Sequence, residues 1–134
     1  MLAPMDAAQA IAELTEISPQ IRNVVAAGAD GSILGSNLPA EAAATLLLER
    51  ARRLLDAAEQ ARPGVAQLEA ATQAGSVFVA RDGGRLIAAT TTPEPTVGLV
   101  FYDLKTCLRS IDEVKPKPAR RAPAKKKEAE DAPS

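Results

Sequence analysis

Two β-hairpin patterns frame one long glycine-free helix in this chain, and that alternation restricts the folds open to it. The first pattern covers residues 21–37 (IRNVVAAGADGSILGSN) and turns at Asp30-Gly31. The second covers residues 76–92 (SVFVARDGGRLIAATTT) and turns at Asp82-Gly83-Gly84. Asp-Gly is a strong hairpin signal because both central residues of the favoured tight turn take positive φ. Between the hairpins, residues 39–62 are rich in alanine and leucine, contain no glycine and predict a helix. The expected order is helix, hairpin, helix, three strands and a last helix, an α+β arrangement.

Each element carries its own pattern. Residues 6–18 read as a first helix, with Ala7, Ala10, Ile11, Leu14 and Ile17 on one face and Gln9, Glu13 and Glu16 turned away. Ser18-Pro19 closes it, since the residue before proline avoids the helical region. Residues 21–29 are apolar on both faces, as an inner strand requires, and residues 32–37 return beside them. Asn37 is the expected N-cap of the long helix, with Pro39 and Glu41 in its first turn.

At about 100° per residue, Ala43, Ala44, Leu47, Leu48, Ala51, Leu54, Leu55 and Ala58 occupy one broad arc of that helix. Glu41, Glu49, Arg52, Asp56 and Glu59 occupy the opposite one. The apolar arc is wider than a helix resting on one sheet needs, so part of it is expected to face a partner. Leu46 departs from the pattern, on the polar side between Arg50 and Arg53 with Ala57 beside it. Arg62-Pro63-Gly64 stops the helix. Residues 65–72 read as a strand with Ala66, Leu68 and Ala70 on one face and Gln67 and Glu69 on the other. Residues 76–81 and 85–91 form the second hairpin. The stretch VGLVFY within residues 96–111 permits a strand, yet Val97, Val100, Phe101, Leu104, Leu108 and Ile111 keep helical spacing, with Asp103, Lys105 and Arg109 outside the stripe. That spacing predicts a last helix.

Composition sets the scale. A chain of 134 residues supports one domain plus a tail. Aromatics make up only 2% of it, so alanine, leucine, valine and isoleucine must fill the core. No apolar run approaches the ~18 residues of a membrane span. The first five residues (MLAPM) lack the basic and apolar regions of a signal peptide, and Met5 is a second candidate start. Residues 1–5 are therefore taken as an extension, 6–112 as the domain and 113–134 as a tail. Nine basic and thirteen acidic residues up to Asp112 make the domain net −4, whereas the tail is net +3. Rich in proline, lysine and alanine without apolar periodicity, the tail is expected to be disordered. A lone Cys107 excludes an internal disulfide and fits a reducing, cytoplasmic setting.

Catalytic chemistry is scarce. There is no histidine, which removes the commonest general base and metal ligand. One cysteine without histidine makes neither a nucleophilic constellation nor a zinc site, and Cys107 reads as a small buried hydrophobe. No glycine is followed by Lys-Ser or Lys-Thr, so no phosphate-binding loop is present. Asp30 and Asp82 are explained as turn residues without a cation. No enzyme, cofactor or metal is expected.

With VVAAGADGSILGSN, the long helix, and VFVARDGGRLIAATTT followed by a last helix in place, the chain resembles the roadblock family of dynein light chains over residues 6–112. Its high alanine content and short tail are similar to bacterial members. The resemblance implies a five-stranded antiparallel sheet in the order α-β-β-α-β-β-β-α, an α/β sandwich with the long helix on one face and the terminal helices on the other. It also implies a homodimer in which the third strand pairs with its mate and the long helices pack antiparallel. That interface falls here to Leu47, Leu48, Ala51, Leu54, Leu55 and Leu68.

Bacterial roadblock proteins are similar to regulators of small Ras-like GTPases, often encoded beside one and beside a sensor kinase. The expected function is thus a non-catalytic homodimeric adaptor that binds such a GTPase and modulates its nucleotide state. Leu46, Arg50, Arg53 and Ala57 are the candidate partner-binding residues, Leu46 because an apolar residue amid charges can anchor an interface. Arg50, Arg52 and Arg53 could each supply an arginine finger, but a solvated helix face explains them more simply. The alternatives are a scaffold subunit of a larger assembly, and nucleic-acid binding through Lys115, Lys117, Arg120, Arg121, Lys125, Lys126 and Lys127. No aromatics interleave those charges, which argues against base stacking. Membrane insertion is not expected.

Overall fold

A computed structural model of the chain describes residues 6–111; the N-terminal extension, Asp112 and the basic tail lie outside the described residues. Its elements are α1 (Ala7–Ile17), β1 (Ile21–Ala27), β2 (Ile33–Ser36), α2 (Glu41–Ala61), β3 (Gln67–Thr72), β4 (Gly75–Asp82), β5 (Arg85–Thr91) and α3 (Val97–Ser110). The strands form one antiparallel sheet in the order β2-β1-β5-β4-β3. This is the α+β order read from the sequence.

Register explains the two cores. Val25 pairs with Ala88, Ala88 with Val79 and Val79 with Leu68, a row that faces α2. One residue along, Val24, Ala89 and Phe78 form the row beneath α1 and α3. The central positions are alanines, whose size lets helices approach both faces closely. On one side Ala44, Leu48, Ala51 and Leu55 of α2 seal the sheet. On the other, Phe78 meets Phe101 of α3 edge-to-face, ring centres 4.9 Å apart.

The two hairpins turn differently. Gly83 and Gly84 form a two-residue loop with φ of 61° and 85° between the paired Asp82 and Arg85. Positive φ at both central positions thus falls on the glycines and not on Asp82. In the first hairpin only Gly31 is left-handed, at φ 90°. The Gly28 carbonyl accepts from the Gly31 N–H at 3.0 Å, and the Gly28 N–H donates to the Ser32 carbonyl at 2.9 Å. That is a wider turn with a bulge, and the register shifts between Ala26 and Ala27. Asp30 contributes through its carboxylate, which accepts from the Ser32 hydroxyl at 2.7 Å and the Ser32 N–H at 3.0 Å. Those hydrogen bonds hold its pKa below the usual carboxylate value.

Asp6 caps α1 by accepting the Gln9 N–H at 2.8 Å. Asn37, expected as the cap of α2, does something else. Its amide donates to the Arg22 carbonyl and its oxygen accepts the Val24 N–H, both at 2.7 Å. It clamps the chain to β1, while α2 starts beyond Pro39 with Ala40 in the cap position and no side-chain cap. The same short amide satisfies strand backbone as readily as helix backbone. At the other end of α2, the Glu59 carboxylate accepts the Gly64 N–H at 2.8 Å and the Val65 N–H at 3.1 Å. It also pairs with Arg81 at 2.7 Å. These contacts, the backbone ones foremost, keep its pKa low and pin the reversal into β3.

The last segment is a helix, as its spacing predicts. Val100, Phe101, Leu104, Leu108 and Ile111 are buried, but Val97 is exposed in the first turn. Asp103, read as lying outside the stripe, is only 9% exposed because α1 packs along that side of α3. Ile17, expected on the buried face of α1, is 63% exposed. It sits at the edge of the stripe in the last turn, where the helix runs past its neighbours.

Candidate functional site

The outer surface of α2 and the free edge of β3 form the candidate site. The structure divides the broad apolar arc of α2 in two. Leu48, Ala51 and Leu55 are at most 3% exposed and packed on the sheet. Of the residues expected in a dimer interface, these three therefore have their surface covered by the chain's own sheet. Leu47 and Leu54 are half-buried on the adjoining flank, and Leu68 is half-buried on β3. Leu47, Leu68, Val65 and Val77 border the α2-side core. Leu47 of α2 and Leu68 of β3 thus border the same core and are both partly open.

β3 is an edge strand. The Ala66 carbonyl accepts from the Arg81 N–H, and Leu68 and Ala70 follow in alternation opposite Val79 and Val77. Alternation then turns the backbone groups of Gln67, Glu69 and Ala71 outward. Neither proline nor lysine occurs within β3, so the edge lacks the usual blocks against pairing.

Continuing around α2 away from the sheet come Arg50, Ala57, Leu46 and Arg53, all exposed. Leu46 is 45% exposed and lies with Glu41, Ala42, Thr45 and Glu49 around a shallow surface depression. Of the three candidate finger arginines, Arg52 stands apart: its guanidinium donates to the Gly31 carbonyl at 3.3 Å and packs against the first hairpin turn. The sequence pattern places it on the polar arc without distinguishing it from Arg50 and Arg53.

Cys107 sits on α3 facing α1, 5% exposed. Burial, and secondarily the charge of Glu13, pushes its thiol up from 9.0 to about 12. A folded-state pKa above the unfolded one stabilises the fold fully below pH 9. That contribution is lost as pH climbs from 9 towards 12. Native protein at pH 8 is expected to react with Ellman's reagent at least about tenfold more slowly than the guanidinium-unfolded chain. Equal rates would refute the burial argument. Among the described residues no group of three metal-ligating side chains assembles, and no helix is long and apolar enough to cross a membrane.

No protein-family model matches the chain, and no curated protein matches it. Solved structures do. A Roadblock/LC7 domain from Streptomyces avermitilis superposes with a TM-score of 0.65 at 16% identity, covering 81% of this chain and 94% of that one. The gliding protein MglB from Thermus thermophilus gives 0.59 at 15% identity, covering 79% and 85%. An MglB in a tetrameric arrangement gives 0.59 at 14%, covering 78% and 84%. The fold is that of the Roadblock/LC7 domain.

Proposed function

We propose that this chain is a homodimeric adaptor that binds a small Ras-like GTPase and modulates its nucleotide state, with no catalysis of its own. The observation that carries the reading is the open surface formed by the β3 edge and the leucine flank of α2. It belongs to a fold shared with bacterial roadblock domains, one of them a tetrameric MglB. Two copies related by a two-fold axis would pair β3 with β3, continue the sheet, and bring Leu47, Leu54 and Leu68 against their counterparts. Leu46, Arg50, Arg53 and Ala57 would then lie on the outer side of two adjacent α2 helices, open to a partner.

Light scattering at micromolar concentration is expected to give twice the 13.9 kDa chain mass. Ala71→Pro should yield a folded monomer, because the N–H it removes points outward and serves no bond within the chain. Leu54→Glu should do the same by placing a carboxylate in the leucine flank. A monomeric wild type, or dimers that survive both changes, would remove the assembly.

For the partner, a pull-down should use the small GTPase encoded nearest to this chain, loaded with GDP or a GTP analogue. Leu46→Glu is expected to weaken capture at least about tenfold while leaving the circular dichroism unchanged, since Leu46 lies outside both cores. Undiminished capture would clear Leu46 of a role. No capture by the wild type would sink the GTPase reading. Capture without any change in nucleotide exchange or hydrolysis would instead support a scaffold subunit.

A further inference from the structure

The face opposite α2 carries a mostly buried carboxylate side chain without a described partner. Asp103 is 9% exposed and makes no hydrogen bond or ion pair with another described residue. It lines a slot between α1 and α3 together with Glu13, Leu14, Ile17, Thr106 and Cys107. Nearby groups are engaged elsewhere. The Ser110 hydroxyl donates to the Cys107 carbonyl at 2.8 Å. Arg109 pairs with Asp82 at 2.7 Å, and the Lys105 charge also acts on Asp82. The slot is where a cation could meet this mostly buried side chain.

The slot has a volume of about 40 Å³, far below the ~300 Å³ at which small-molecule pockets begin. It suits the end of one long basic side chain. Around it the surface is apolar and open: Ile17 is 63% exposed, and Leu99 and Tyr102, one turn before Asp103 and Thr106 on α3, are 49% and 68% exposed. Lysine stems and proline rings cover such surface well.

We propose that the occupant is this chain's own C-terminal segment, with Lys115 or Lys117 seated between Asp103 and Glu13. Residues 115–127 hold seven basic side chains and no acidic one. The chain leaves α3 at the slot itself, since Ser110 lines it. Its exit is held where Arg85 donates to the Ile111 carbonyl at 3.0 Å. From Ile111 back to Asp103 the helix rises on the order of 12 Å, and the four residues to Lys115 span up to about 14 Å when extended. Tethering at this distance makes the local lysine concentration high, so modest contacts suffice. A segment without apolar periodicity can dock in this way by charge alone.

Zero-length carbodiimide coupling of the full-length chain tests this, on an equal mixture of ¹⁴N- and ¹⁵N-labelled protein at low salt. The expected products join Glu13 to Lys115 or Lys117 within one isotope. They should fall at least threefold in Asp103→Asn and again at ~0.5 M salt, where screening is strong. Asp103→Asn removes a charge and keeps the shape, and circular dichroism verifies its fold. Lys115→Glu with Lys117→Glu should shift amide resonances in α1 and α3 and leave those of α2 in place. Isotopically mixed products would overturn the proposal by seating the segment on a second copy. So would coupling spread evenly to Glu41 and Glu49, an Asp103→Asn variant that couples like wild type, or unmoved α1 and α3 resonances. Because the readout lies on the face opposite α2, none of these outcomes depends on GTPase binding.

Discussion

Gly75→Ala is expected to destabilise the fold by at least about 3 kcal/mol. Gly75 opens β4 after the β3–β4 turn with φ at 143°, a region that L side chains rarely enter. A Cβ there would overlap the Thr91 carbonyl oxygen and lie 3.1 Å from the Thr91 carbonyl carbon. Both are backbone atoms of β5 and cannot rotate aside. The turn is also tied down, because the Thr72 hydroxyl donates to the Gly75 carbonyl at 2.6 Å and accepts the Ala74 N–H at 3.2 Å. Strain at such a φ costs about 1–3 kcal/mol, and separating two paired strands adds to it. For a domain of this size the melting temperature should fall by at least roughly 12 °C. Gly83→Ala supplies the contrast: φ is 61° with nothing within 4 Å of the added Cβ, so a loss of only about 1–2 kcal/mol is expected. Thermal unfolding followed by circular dichroism separates the two. Equal shifts would mean that the contact with Thr91 is not decisive.

Phe78→Ala should cost about 3–5 kcal/mol. Its ring is fully buried beneath α3 and meets Phe101 at an interplanar angle of 72°. The chain has only two phenylalanines, and the surrounding side chains are largely alanine, isoleucine and leucine, so no second ring is at hand to fill the space. Phe78→Leu should cost less, about 1–2 kcal/mol, because it keeps most of the volume and loses chiefly the edge-to-face contact. Urea unfolding with an unchanged m value would place the whole effect in the native state. A loss below about 1 kcal/mol for alanine would indicate a core loose enough to collapse around the gap.

Much of the architecture is legible in the sequence. Two-residue periodicity, the glycine turns and the 3.6-residue stripe of α3 are local signals, and local geometry obeys them except at Val97, exposed in the first turn of α3. Asn37 defeats a local reading because an Asx side chain serves a helix N-terminus and a neighbouring strand by the same hydrogen bonds. Asp103 escapes it for a related reason. Periodicity identifies the face a helix turns to the sheet, yet it is silent about a second helix packed along its side.

The same distinction governs the site. From the sequence come the broad apolar arc of α2 and the odd position of Leu46, because side-chain direction repeats with the helix. Only the tertiary structure decides that Leu48, Ala51 and Leu55 are spent on the sheet while Leu47, Leu54 and the edge of β3 stay open. Burial is a property of what lies opposite, and strands distant in the chain supply it. Sequence sets which residues share a face; packing sets which faces remain free to bind.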